Sequence, residues 1–168
     1  MCLDDLLWYA KKQQTHEAGS YPAGILHVLR LAPGEDLQQS IYKFARVKNI
    51  MAATIVSCVG SLTTTNIRYA DDSEGTSVTG HFEIVSLVGN VDLQPVSSAK
   101  GAGHIHIAIA DEQGRGLGGH LLVGNIVYTT AEITLLEVQG ALFYRVPDIG
   151  PGGSGYSELK VYNLEENK

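Results

Sequence analysis

Gly103-His104-Ile105-His106-Ile107-Ala108-Ile109-Ala110-Asp111-Glu112-Gln113-Gly114-Arg115-Gly116-Leu117-Gly118-Gly119-His120-Leu121 is the stretch that decides the fold. Its first half alternates strictly, so a β-strand from His104 to Ala110 puts Ile105, Ile107 and Ile109 on one face and His104, His106, Ala108 and Ala110 on the other. Two imidazoles then share a face about 6.6 to 7 Å apart along the strand, from a rise of roughly 3.3 Å per residue. Asp111 to Arg115 suits a three-residue hairpin loop, a type I turn with Gly114 in the left-handed position. If Asp111 pairs with Arg115, His106 falls directly across from His120, and directly opposed side chains share a face. A bulge at Gly116, Gly118 or Gly119 would move His120 to the other side. With a clean count, three imidazoles gather at one place.

Outward from this hairpin the chain reads mainly as strands. Fourteen valines, 12 isoleucines and 10 threonines supply the β-branched residues that fit a pleated surface. Strands are expected near Gly24 to Leu31, Ile50 to Cys58, Leu62 to Tyr69, Thr76 to Leu87, His104 to Ala110, His120 to Val127 and Glu132 to Val146, the last bent at Gly140, with a short edge strand from Glu158 to Tyr162. One internal helix is expected after Pro33-Gly34-Glu35-Asp36, whose acidic side chains suit the positive end of a helix dipole. Leu37, Ile41, Phe44 and Ala45 form its buried stripe. The fold class is α+β, a mostly antiparallel sheet with one main packed helix.

Length and composition bound the rest. The 168 residues correspond to about one domain of roughly 150 residues. Residues 1–20 read as an N-terminal appendage, a short amphipathic helix with Leu3, Leu6, Leu7 and Ala10 on its stripe, and residues 21–165 as the domain. Asp148 to Gly155 is a glycine-rich loop. Twelve basic residues against 18 acidic leave a net charge of −6, the wrong sign for a surface that neutralises nucleic-acid phosphates, so no direct nucleic-acid binding is expected. Charged residues are 18% of the chain and apolar residues 44%, against about 25% charged in an average domain, so much of the surface is uncharged or buried against a partner, which brings in oligomerisation. No apolar run approaches the roughly 18 residues of a membrane span, and Asp4 and Asp5 oppose a secretory signal. With Cys2 and Cys58 too few for a disulfide framework, an intracellular location is expected, cytoplasmic or nuclear.

Three neutral imidazoles with an open position are the ligand set of zinc or another borderline divalent metal; the alternative is three ordinary polar residues on a half-exposed face. Glu83 is the one residue nominated as a general base, against a structural role in a backbone or arginine contact. Gly114-Arg115-Gly116 has the core of an AT-hook, but Leu117 stands where proline would extend it, and the hairpin occupies the segment. Lys43, Arg46 and Lys48 suit a helix C-terminus better than phosphate. No serine sits in a nucleophile motif.

Several spaced blocks, Leu29 to Leu37, Val59-Gly60-Ser61-Leu62, Gly80 to Gly89, His104-Ile105-His106 and Gly118-Gly119-His120-Leu121, occur in the order of the PPC domain (plants and prokaryotes conserved), which this chain resembles from about Ala23 to Tyr162. The resemblance implies a homotrimer and implies that His104, His106 and His120 are the family's clustered histidines, able to hold a metal. The chain departs from the pattern at His81, where plant members commonly carry arginine, and it lacks an AT-hook. The functions that follow are a non-enzymatic binding or regulatory module with protein partners, a metal-dependent hydrolase or lyase on a small molecule, and a DNA-associated regulator acting through partners.

Overall fold

The computed structural model describes residues 21, 24–92 and 103–164; the appendage expected over residues 1–20 lies outside them. Eight strands and one helix follow in the order β1 (Ile25–Leu31), α1 (Leu37–Lys48), β2 (Ala52–Arg68), β3 (Thr76–Asp92), β4 (His104–Ala110), β5 (Gly116–Leu121), β6 (Ile126–Glu137), β7 (Ala141–Pro147) and β8 (Ser157–Asn163). Over the described residues this is the mostly antiparallel sheet with one main packed helix that the sequence predicts. A six-stranded sheet has the order β1-β6-β2-β3-β4-β5, and β5 also pairs with β2, so its far end curls closed. The remaining hairpin, β7-β8, forms its own sheet.

Helix α1 starts where Asp36 caps it, the Oδ1 atom accepting from the Gln39 N–H at 2.9 Å. Asp36 Oδ2 also accepts from the Gly124 N–H at 2.6 Å, which ties the helix start to the β5–β6 connection. The helix ends at Asn49, in the left-handed conformation (φ 54°). Leu37, Ile41 and Ala45 are fully buried, as the stripe predicts, together with Tyr42; Phe44 is only partly buried. They join one core with Ile105, Ile107 and Ile109 of β4 and Ile133 and Leu135 of β6. Hairpin β7-β8 docks through Ala141, Phe143 and Val161 on Ala52, the first residue of β2.

Four boundaries differ from the sequence expectation. The segments Ile50 to Cys58 and Leu62 to Tyr69 are one strand, β2, and β3 runs on past Leu87 to Asp92. The reason lies in Gly60 and Gly89, which do not break strands but let them pass closely: a Cβ would stand 2.1 Å from the Thr130 carbonyl oxygen at Gly60 and 2.1 Å from that of His104 at Gly89. Third, the expected strand Glu132 to Val146 is two strands in different sheets, β6 and β7, separated by a turn at Gly140 (φ 74°). Fourth, the expected strand His120 to Val127 is the end of one strand and the start of another: β5 begins at Gly116, because backbone pairing with β4 needs no side chains, and stops at Leu121, and β6 starts at Ile126 after a turn with Gly124 at φ 111°. Among the described residues no helix is long and apolar enough to cross a membrane.

Candidate metal centre and its cleft

The β4-β5 turn sets the register of the site. Gly114 adopts φ 76°, and its N–H donates to the Asp111 carbonyl at 2.9 Å. The Asp111 carboxylate accepts from the backbone N–H groups of Gln113 and Arg115 and from Arg115 Nε at 2.7 Å. These donors, the Arg115 N–H first, hold its carboxyl below the usual range. Arg115 is thus committed to the turn, which accounts for the AT-hook-like tripeptide. The ladder then runs without a bulge, Ala110↔Gly116, Ala108↔Gly118 and His106↔His120.

His104, His106 and His120 come together on the face away from the core. Each offers one nitrogen, and the three atoms lie within 4.8 Å of one another. The Nε2 atoms of His104 and His106 are 2.9 Å apart, and the ring centroids of the three pairs are separated by 4.9, 5.2 and 5.5 Å. Burial, then the Arg68 charge, pushes the His120 pKa down to about 4. The His104 pKa is lowered too, by burial, then by Arg145 and His106. Both rings are therefore neutral near pH 7, the form that donates a nitrogen lone pair. Among the described residues, His120 Nδ1 is buried with no hydrogen-bond partner, a deficit that a cation would remove. The residues fit a divalent metal: imidazole-zinc bonds of about 2.0 to 2.1 Å require nitrogens roughly 3 to 3.5 Å apart, and small ring rotations close the gap.

The histidines open into a cleft of about 1230 Å³ whose walls include Arg68, Tyr69, Asp71, Arg145, Tyr156 and Glu158. Arg68 reaches it because β5 pairs back on β2, setting Arg68 opposite His120. Its Nη1 donates to the Asp72 carbonyl at 3.2 Å. Arg145 comes from β7, its Nε donating to Oδ2 of the fully buried Asp92 at 3.2 Å. Neither arginine was nominated from sequence, since each lies on a strand remote in the chain and no local motif marks it.

Glu83 does not join the group. It stands exposed opposite Ala110 and Ser61, four residues along β4 from His106, which is about 13 Å at a strand's rise. His81 is also elsewhere, stacked on Tyr128 with centroids 4.1 Å apart and 3.8 Å from Glu112. Lys43, Arg46 and Lys48 are exposed at the end of α1.

Comparison with known proteins places these residues in a wider set. The family described as the Plants and Prokaryotes Conserved (PCC) domain matches residues 18–139. The chain is 40% identical over 147 residues to a protein named bifunctional protein GlmU from Synechococcus sp. (strain JA-3-3Ab), covering 86% of this chain and 22% of that protein. It is 28% identical over 131 residues to AT-hook motif nuclear-localized protein 27 of Arabidopsis thaliana, covering 72% and 41% respectively. The chain thus spans between about a fifth and two fifths of these relatives' lengths. Among solved structures, a metal-containing protein from Archaeoglobus fulgidus superposes with a TM-score of 0.70 at 29% identity, covering 85% of this chain and 98% of that one.

Proposed function

This chain belongs to the Plants and Prokaryotes Conserved (PCC) domain family, and we propose that it is a homotrimeric binding or regulatory module built around a divalent-metal site at His104, His106 and His120. The observation that carries this reading is the convergence of three imidazole nitrogens within 4.8 Å at the mouth of a cleft. Zinc suits the set best among borderline metals, because three nitrogen donors with an open position match its tetrahedral preference.

Assembly is supported by the histidine-bearing face of the sheet. Opposed positions put Leu26, Val28, Val59 and Val88 on that face, and each is more than half exposed. Four large apolar side chains in water on one sheet are what a subunit interface covers. The partners proposed beyond the chain itself are proteins rather than nucleic acid. A net charge of −6 offers few cations for counterion release, so association with DNA would pass through a partner. An intracellular site, cytoplasmic or nuclear, suits the free and buried Cys58.

A second reading, a metal-dependent hydrolase or lyase on a small molecule, is favoured by the cleft itself. A bound metal would supply Lewis acidity and an activated water. The carboxylates that line the cleft are Asp71 and Glu158, and either is better placed than Glu83 to take a proton.

Metal analysis of tag-free protein, joined to light scattering on a sizing column, tests the proposal. The expected result is one zinc per chain and a mass three times 18.0 kDa. A metal-free monomer at micromolar concentration would overturn it. Sub-micromolar duplex-DNA binding that weakens steeply with salt would overturn the protein-partner assignment.

A further inference from the structure

Arg68 is half-buried, and among the described residues the one hydrogen bond of its guanidinium is to the carbonyl oxygen of Asp72. Among the described residues, Asp111 pairs with Arg115 and Asp92 with Arg145, but no carboxylate stands within 4.0 Å of Arg68. A charge drawn partly out of water gains more from an anionic partner than a lone backbone carbonyl supplies. The register makes the placement specific. Arg68 is opposite His120, and His120 is opposite His106, so the guanidinium and two imidazoles follow one another across three neighbouring strands on one face, spaced about 4.8 Å from strand to strand. Further along the hairpin that face carries only the small residues Ala108, Gly118, Ala110 and Gly116, leaving the cleft floor open beside the histidines.

We propose that this cleft receives a small anionic ligand, a carboxylate or phosphate whose oxygens are gripped by Arg68 and face the three-histidine cluster. A planar guanidinium presents two parallel N–H donors that match either group, and Tyr69 and Tyr156 on the walls provide apolar surface for the body of the ligand. About 1230 Å³ exceeds what a bare ion requires and lies somewhat above the roughly 300 to 1000 Å³ of most small-molecule sites. The inference deepens the metal reading, since a cation held by the histidines would attract the same anion, yet Arg68 stands independently of it.

Titration calorimetry with inorganic phosphate and with succinate, on zinc-loaded and on metal-free protein, is the test, with the Arg68 Nε–H followed by NMR. The expected result is a dissociation constant below about 1 mM for one of the two anions, the preference identifying phosphate or carboxylate, with a shift of the Arg68 resonance. Arg68→Gln should weaken binding about tenfold or more, the loss that accompanies removal of a charge-assisted pair. Arg68→Lys, which keeps the charge but not the fork, should recover part of it, and serves as the readout if the glutamine variant does not fold. Absence of binding by both anions to zinc-loaded wild type, or affinities unchanged in both variants, overturns the inference with the metal reading intact. If the chain retains no zinc yet binds an anion through Arg68, the metal reading fails and this one stands.

Discussion

Replacing Ile107 and His106 separately by alanine tests the alternation on which both fold and site rest. Ile107 is 2% exposed, and truncating such a side chain leaves a cavity, so the cost is about 3 kcal/mol within the range of 2 to 5. His106 points to the open face and makes its hydrogen bond to His104, so His106→Ala in metal-free protein should fall within about 0.5 kcal/mol of wild type. At roughly 2 to 4 °C per kcal/mol for a chain of this size, the two melting temperatures should differ by about 6 to 12 °C. Zinc reverses the emphasis. At a concentration 100 times its dissociation constant it should stabilise wild type by about 2.7 kcal/mol through mass action, and Ile107→Ala by a similar amount. In His106→Ala that increment should vanish. Urea titrations with and without zinc, read by circular dichroism, give each of these free energies, and thermal scans the difference in melting temperature. Equal destabilisation by the two substitutions would refute the assignment of faces, and a full zinc increment in His106→Ala would refute the ligand set.

Three further outcomes follow from the geometry. Gly119→Ala should destabilise the fold by about 2 to 3 kcal/mol, an overpacking cost, because the new Cβ would stand 2.5 Å from Ile67 Cγ2 and 2.6 Å from the Arg68 carbonyl oxygen; Gly116→Ala, whose Cβ meets its nearest atom at 3.8 Å, should be neutral in the same urea series. The His120 ring in metal-free protein should titrate near pH 4 rather than 6.5 by NMR. Since the unfolded chain takes up that proton below pH 6.5 and the folded chain resists it, stability should fall as pH drops from 6.5 to 4 and change little from this group above 6.5; a ring midpoint near 6.5 would contradict its burial. In Arg68→Gln that midpoint should rise, because the Arg68 charge is the second cause of the depression, and an unmoved midpoint would place the guanidinium away from the ring.

What could be read from the chain was what one local rule determines. Strict alternation over His104 to Ala110 fixes faces because period two has a single solution, and Asp111 to Arg115 fixes where the pairing starts because a loop of three residues with a left-handed glycine permits one pairing there; His106↔His120 follows from those two facts once Gly116, Gly118 and Gly119 form no bulge, which only the ladder itself decides. The helix was legible for the same reason, its cap and stripe lying within a dozen residues. What escaped was decided between distant segments. Gly60 and Gly89 look like breakers in isolation, and only a passing backbone at 2.1 Å turns each into a condition for a continuous strand. Arg68 looks like the polar end of an apolar strand, and only the return of β5 onto β2 sets it beside His120. The histidines, on the two arms of one hairpin, could converge in any sheet containing that hairpin, whereas the charge facing them exists only because the sheet curls shut. A perturbation that opens the β2–β5 seam while sparing the hairpin should therefore separate the two: the imidazoles stay clustered, and Arg68 leaves them.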